Sequence, residues 1–227
     1  MSGNQPNNEP RSQGGPKPRE PLSRERIELS ALELIEAEGM EGFSIRKLAS
    51  ALGCEAMSIY YYFPSKGHLM DGLIDHVIDE MPPLPDKSLP WIERLRIAGY
   101  GIRKTLTRRP NLFVFVATHR MNTPKALAWL DRFIGFFGES GLPHADSIRL
   151  FRSVSYFILS TGLDETAGYS RGPSIIAPVP EDIMARDYPE VAGAAPFFRP
   201  AQFDATFELG WETLLAGIEV RRAARGR

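Results

Sequence analysis

The chain has 227 residues, 43% hydrophobic and 24% charged, with a net charge of −1 and one cysteine, Cys54. That balance is the balance of an ordinary globular protein of one or two domains, large enough to bury a core without disulfides or metals. It excludes a disulfide framework and a cysteine-based metal site. No apolar run approaches the roughly 20 residues of a membrane span.

Residues 1–22, beginning MSGNQPNNEPRSQGGPKPREP, are polar and proline-rich. They lack the apolar core of a signal peptide and too little of their surface can be buried to repay ordering, so a disordered leader is expected and, by elimination, a cytoplasmic protein. Arg11, Lys17 and Arg19 within it are candidates for an arm into a DNA minor groove, against the plainer reading of a solvated leader.

Helices follow. Ser23 is a good N-cap for Arg24 to Glu38, where Ile27, Ala31, Leu34 and Ile35 form an apolar stripe that Gly39 ends. Ser44 caps a second, shorter helix with Ile45, Leu48, Ala49 and Leu52 inward, closed by Gly53. A third short helix covers about Glu55 to Tyr61. Ser65 then caps a fourth running to about Met81, with Leu69, Met70, Leu73, Ile74, Val77 and Ile78 inward. MPPLPD, residues 81–86, breaks the pattern and marks the boundary between a first domain, 23–81, and a second, 87–223.

The second domain reads as helices at about Trp91–Thr107, Leu112–Thr118, Pro124–Ser140, Ala145–Ala167 and Gln202–Ala223. Between the last two lies a stretch to residue 200 with six prolines and three glycines, expected to be irregular. No sustained alternating pattern appears. The expected fold class is all-α, an N-terminal helix-turn-helix domain followed by a larger helical one.

Two short helices joined by a turn containing Gly53, with small Ala49 at their crossing, are the elements of a helix-turn-helix. In that motif the second helix enters the major groove. One observation opposes DNA binding: residues 1–81 hold 8 Lys and Arg against 13 Asp and Glu, whereas nucleic-acid-binding modules are usually basic.

The stretch SIRKLASALGCEAMSIYYYFPSKGHLMDGLID, with the helix before it and its ending GMEGFS, resembles the DNA-binding domain of the tetracycline-repressor (TetR) family of bacterial regulators. FRSVSYFILSTGLDETAG and FELGWETLLAGIEVRRA are similar to the two dimerisation helices of that family. The resemblance implies a ligand-responsive repressor, binding a palindromic double-stranded DNA operator as a homodimer and released by a small-molecule effector, with no enzymatic activity, cofactor or metal. It places Glu55, Ala56, Met57 and Ser58 against base edges, with Ser44, Arg46 and Lys47 reaching in from the preceding helix. Tyr60, Tyr61 and Tyr62 would hydrogen-bond phosphates, and Lys66 would add its charge at a helix N-terminus. Phe63 would pin the turn. The plainer alternatives are tyrosines packed on neighbouring helices and a solvated basic face.

The resemblance also implies an effector enclosed by the second domain. Its aromatic-rich candidates are Phe113, Phe115, His119, Trp129, Phe133, Phe137, Tyr156 and Phe157, although such a stripe equally describes a core. Phe151, Val154, Ile158, Leu159, Phe203, Phe207, Leu214 and Ile218 are expected at a dimer interface. Asp164 and Glu165 are candidates either to pair with arginines such as Arg149 or Arg152 or simply to cap the interface, and Cys54 is expected to be a small buried apolar residue. Arg221, Arg222, Arg225 and Arg227 form a basic tail. The competing reading is a small-molecule-binding helical protein that has lost DNA binding. It has no catalytic motif to support it as an enzyme, and the acidic first domain is its argument.

Overall fold

The computed structural model describes residues 21–167 and 176–225, and the fold is all-α, with no strand among the described residues. The expectations for residues 1–20, 168–175 and the last two residues lie outside them.

The first four helices are α1 (Arg24–Gly42), α2 (Ile45–Leu52), α3 (Ala56–Tyr62) and α4 (Lys66–Glu80). Their starts follow from side-chain caps: Ser23, Ser44 and Ser65 each accept a hydrogen bond from the backbone N–H three residues on, at 3.1, 3.3 and 3.3 Å. Gly39 leaves helical geometry at φ +73° as expected, but one more helical turn follows to Gly42 before Phe43 enters the core. Gly53, at φ +66°, closes α2 and donates to the carbonyls of Ala49 and Ser50, the left-handed turn that a side chain would strain. The inward positions expected for α2 and α4 are all buried. In α1 the buried set is Ile27, Ala31, Leu32 and Ile35, so Leu32 replaces Leu34, which is half-buried. Leu22, assigned to the leader, packs against this core, and its carbonyl accepts the Tyr62 hydroxyl.

The second domain holds α5 (Trp91–Thr107), α6 (Pro110–Thr118), α7 (Pro124–Gly138), α8 (His144–Ala167) and α11 (Phe203–Arg225). Pro110 opens α6 from its first position, where a missing N–H costs nothing, so that helix starts two residues before the apolar pattern does. The stretch before α11 is less irregular than expected: α9 (Glu181–Asp187), α10 (Pro189–Ala194) and two 3-10 turns, Ala195–Phe198 and Pro200–Gln202, occupy it. Proline stands first or second in each of the last three pieces, so the residues that break long helices here nucleate short ones.

The core of the second domain is aromatic. Trp91 stacks on Phe136 at 5.2 Å between ring centres and donates its indole N–H to the Phe136 carbonyl at 2.8 Å. Phe157, Phe207 and Trp211 form a second cluster between α8 and α11. Val154, Ile158, Phe207 and Ile218, expected at a dimer interface, lie in this core instead; α8 and α11 also face their own protomer, and these residues take that side. Tyr156, Leu209 and Val220 are the exposed apolar residues of the two helices.

The ion pairs also differ from expectation. Glu165 accepts from Arg103 at 2.8 Å, with both side chains largely buried, while Arg149 pairs with Asp146. Burial pushes the Glu165 carboxyl above its usual range, against the pull of Arg103. Arg222 is not a free tail charge: it donates to the Ser140 carbonyl at 2.6 Å and lies over the Trp91 ring.

Candidate functional site: a DNA-reading head and an apolar cavity

Two surfaces follow from this architecture. The first is on α2 and α3. Arg46 and Lys47 are exposed on α2, and Met57, Tyr60 and Tyr61 on α3, with Met57 73% and Tyr61 84% exposed. Among the described residues little packs over these large side chains. Glu55 occupies the N-cap of α3 without a side-chain capping bond, so its carboxylate is open to solvent, while Ala56 and Ser58 are half-buried. Arg46 makes no hydrogen bond or ion pair among the described residues. Lys47 is tied to Glu38, which offsets its charge. Ser44 is occupied in capping α2. Lys66 is exposed at the start of α4 with its ammonium 5.1 Å from the centre of the Phe43 ring. Cys54 is half-buried, not fully enclosed.

The three tyrosines are not equivalent. Tyr62 donates its hydroxyl to the Leu22 carbonyl at 2.7 Å, and its own carbonyl accepts from Arg24 at 2.8 Å. It ties the end of α3 to the start of α1, because a helical residue two positions beyond Tyr60 points away from that residue's face. Two exposed phenols therefore stand where three were expected. Phe63 is fully buried beneath the Arg24 guanidinium, as the pin of the turn.

Five of the thirteen acidic residues in residues 1–81 share one location. Asp71, Asp75 and Asp79 recur every four residues along α4 and meet, in order, His119, Thr123 and Lys125 from the end of α6 and the start of α7. His119 Nε2 lies 2.9 Å from Asp71 Oδ1. Glu80 receives Arg109 at 2.8 Å, and Glu36 of α1 receives the Leu112 N–H while its backbone carbonyl accepts from Asn111. These carboxylates face the second domain. Their spacing of four was readable as one helix face, but their partners were not.

The second surface is a cavity of about 230 Å³ directly behind α4. Ile74, Val77 and Ile78 form one wall, Ile102 and Leu106 of α5 another, and Trp129 and Phe133 of α7 a third. Its polar lining side chains are His119, Ser155 and the indole N–H of Trp129. Of the eight residues expected to surround an effector, His119, Trp129 and Phe133 line this cavity. Phe113, Phe115 and Phe137 are buried in the core, Phe113 where a Cβ on Gly162 would strike its ring. Phe157 stacks on Trp211, and Tyr156 is exposed beside Arg152. The aliphatic wall from α4 and α5 was missed because apolar residues at helical spacing look the same whether they fill a core or line a void.

Similarity to known proteins places these surfaces in a family. The profile described as "Bacterial regulatory proteins, tetR family" matches residues 29–73, and that of "Tetracyclin repressor-like, C-terminal domain" matches residues 83–222. The chain belongs to the TetR family. An HTH-type transcriptional regulator of Saccharopolyspora erythraea is 27% identical over 87% of this chain and 84% of its own length. The class A tetracycline repressor protein from transposon 1721 in Escherichia coli is 27% identical over 85% and 88%. A crystal structure of a possible TetR family transcriptional regulator from Streptomyces coelicolor A3(2) superposes with a TM-score of 0.73 at 26% identity, over 88% of this chain and all of that one.

The TetR-family assignment makes the protein a ligand-responsive, DNA-binding transcriptional regulator. The alternative of a helical protein without DNA binding is not favoured by the family, and part of its support is removed because five of the thirteen acidic residues that weighed against the head, Glu36, Asp71, Asp75, Asp79 and Glu80, are engaged with the second domain. No helix among the described residues is long and apolar enough to cross a membrane.

Proposed function

We propose that this regulator is a cytoplasmic homodimeric repressor, with a head of residues 23–81 and an effector and dimerisation domain of residues 87–223, released from a palindromic operator when a small molecule fills the cavity behind α4. The observation that carries this reading is His119, which both lines the cavity and bonds Asp71 of the head. A ligand that displaces the imidazole acts on the first rung of the Asp71, Asp75, Asp79 ladder, and α4 also supplies the cavity wall. To switch occupancy, the ligand must favour one head spacing over the other by a few kcal/mol.

On the DNA side, Arg46 is suited to a bidentate contact with guanine, Met57 and Ala56 to apolar contact with thymine methyls, and Glu55 to accept from cytosine. Ser58 and Ser44 border this face. Tyr60, Tyr61 and Lys66 are placed for phosphates, Lys47 once it leaves Glu38, while Tyr62 positions the recognition helix from inside. The homodimer is supported by exposed Tyr156, Leu209 and Val220 on α8 and α11, beside a groove lined by Gly210 and Gly217. Exposed Val191, Phe197 and Phe198 in the segment before α11 add apolar surface for a partner copy to cover. Two-fold symmetry then sets the half-sites about one DNA turn, roughly 34–36 Å, apart.

The test is fluorescence anisotropy of the purified protein on DNA fragments from around its own coding region, over a salt series. Fragment-selective binding that weakens steeply with salt, at two protomers per fragment, is the expected result. Equal binding to every fragment, or none at low salt, overturns the proposal.

A further inference from the structure

We infer that the effector is a small aromatic or alicyclic organic acid, its apolar body about two fused rings in size, whose anionic group is held by Arg132. The inference rests on the proposed role of the cavity behind α4.

The apolar part follows from the cavity itself. An apolar void of about 150 Å³ holds one benzene ring, and the present one, at about 230 Å³, has room for roughly a second. Trp129 and Phe133, stacked on each other at 5.1 Å, present flat surfaces to it. The polar lining has little capacity for a charge: the Ser155 hydroxyl donates to the Phe151 carbonyl, the His119 Nε2 is engaged with Asp71, and the Trp129 indole offers a single neutral N–H. A charged group placed inside would lose its hydration without replacement, at prohibitive cost.

The charge belongs outside. A second recess of about 380 Å³ lies between the Pro82–Leu84 stretch and α7, and shares Ile78, Met81, Ile102, Trp129 and Phe133 with the inner cavity. The ionisable side chains lining it are Asp79, Lys125 and Arg132. Asp79 and Lys125 satisfy one another. Arg132 has no partner among the described residues. A molecule spanning both recesses therefore meets an apolar slot at one end and one uncompensated guanidinium at the other, the planar fork that matches a carboxylate.

The probes are 2-naphthoate and its near-isosteric neutral amide, 2-naphthamide, titrated calorimetrically into the full chain and into Arg132→Gln and Ala117→Leu. Arg132 is exposed, so its replacement leaves the fold intact, as melting temperatures will verify; Ala117 lines the cavity, and the larger side chain partly fills it. The acid is expected to bind at least tenfold more tightly than the amide. Arg132→Gln should shrink that preference to within twofold, and Ala117→Leu should weaken both probes together. The inference is overturned if neither probe binds, if the amide binds as well as the acid, if the preference survives Arg132→Gln, or if Ala117→Leu leaves acid binding unchanged. DNA anisotropy on the same samples separates the two proposals. Naphthoate that binds as expected without altering DNA affinity sinks effector-controlled release and sustains the ligand class. A cationic compound that releases DNA through this cavity does the reverse.

Discussion

Tyr61→Phe and Tyr62→Phe remove the same atom from adjacent residues and should have opposite consequences. The Tyr61 ring is 84% exposed and meets the Tyr62 ring edge-on at 5.2 Å, and its hydroxyl makes no hydrogen bond among the described residues. If that hydroxyl donates to an operator phosphate, its loss costs a charge-assisted hydrogen bond, about 1–2 kcal/mol at a hydrated interface, or roughly 5- to 30-fold in affinity. The salt slope should not change, since no cation is lost. Tyr62→Phe instead breaks the 2.7 Å bond to the Leu22 carbonyl, which anchors the start of α1. A neutral bond of that kind contributes about 1 kcal/mol, a fall in Tm of about 2–4 °C for a chain this size. Thermal melts followed by circular dichroism, beside anisotropy on one operator fragment across a salt series, measure both effects. The reasoning is refuted if Tyr62→Phe weakens DNA binding as much as Tyr61→Phe at unchanged Tm, or if Tyr61→Phe lowers Tm and leaves DNA binding intact.

Lys66→Ala should weaken binding to every fragment alike and lower the salt slope by about 0.9 per protomer, while Arg46→Ala should cost about 1–3 kcal/mol on the preferred fragment only; a fragment-selective effect of Lys66 would reverse the two roles. Gly99→Ala on α5 places a Cβ into the fully buried Trp211 ring of α11, so overpacking should destabilise the protein by about 1–3 kcal/mol in urea unfolding, and an unchanged midpoint would show that α11 yields easily. Glu139 accepts hydrogen bonds from Lys87 and Arg94, which hold its carboxyl below the ordinary value of 4.5. A depressed carboxyl stabilises the fold above its unfolded pKa and loses that contribution as pH falls through its folded one. The urea midpoint of Glu139→Gln should therefore lie below the wild type's at pH 7, by no more than about 1 kcal/mol for so exposed a group, and the gap should close below pH 4.5. A gap that widens in acid would contradict the assignment.

Much of the fold was legible because its signals are local. Ser23, Ser44 and Ser65 cap helices through bonds spanning three residues, Gly53 reverses the chain through its own φ, and the apolar spacing of α2 and α4 defines their inward faces. The head was legible for the same reason, since the residues proposed to meet DNA come from one short helix pair and its flanks. What the tertiary structure alone decided depends on which face meets which neighbour. Periodicity groups Phe113, Phe133 and Phe157 as inward residues, but only packing between helices leaves Phe133 at a cavity, Phe113 in solid core and Phe157 half-buried against Trp211. Composition counts an acidic first domain, but only the approach of α6 and α7 turns Asp71, Asp75 and Asp79 into a junction with the second domain. Tyr60, Tyr61 and Tyr62 read as one motif, and a rotation of about 100° per residue divides them between surface and anchor. Sequence carries the period of each helix; the partner across each face, and with it the sign and role of the residues there, exists only once the helices have packed.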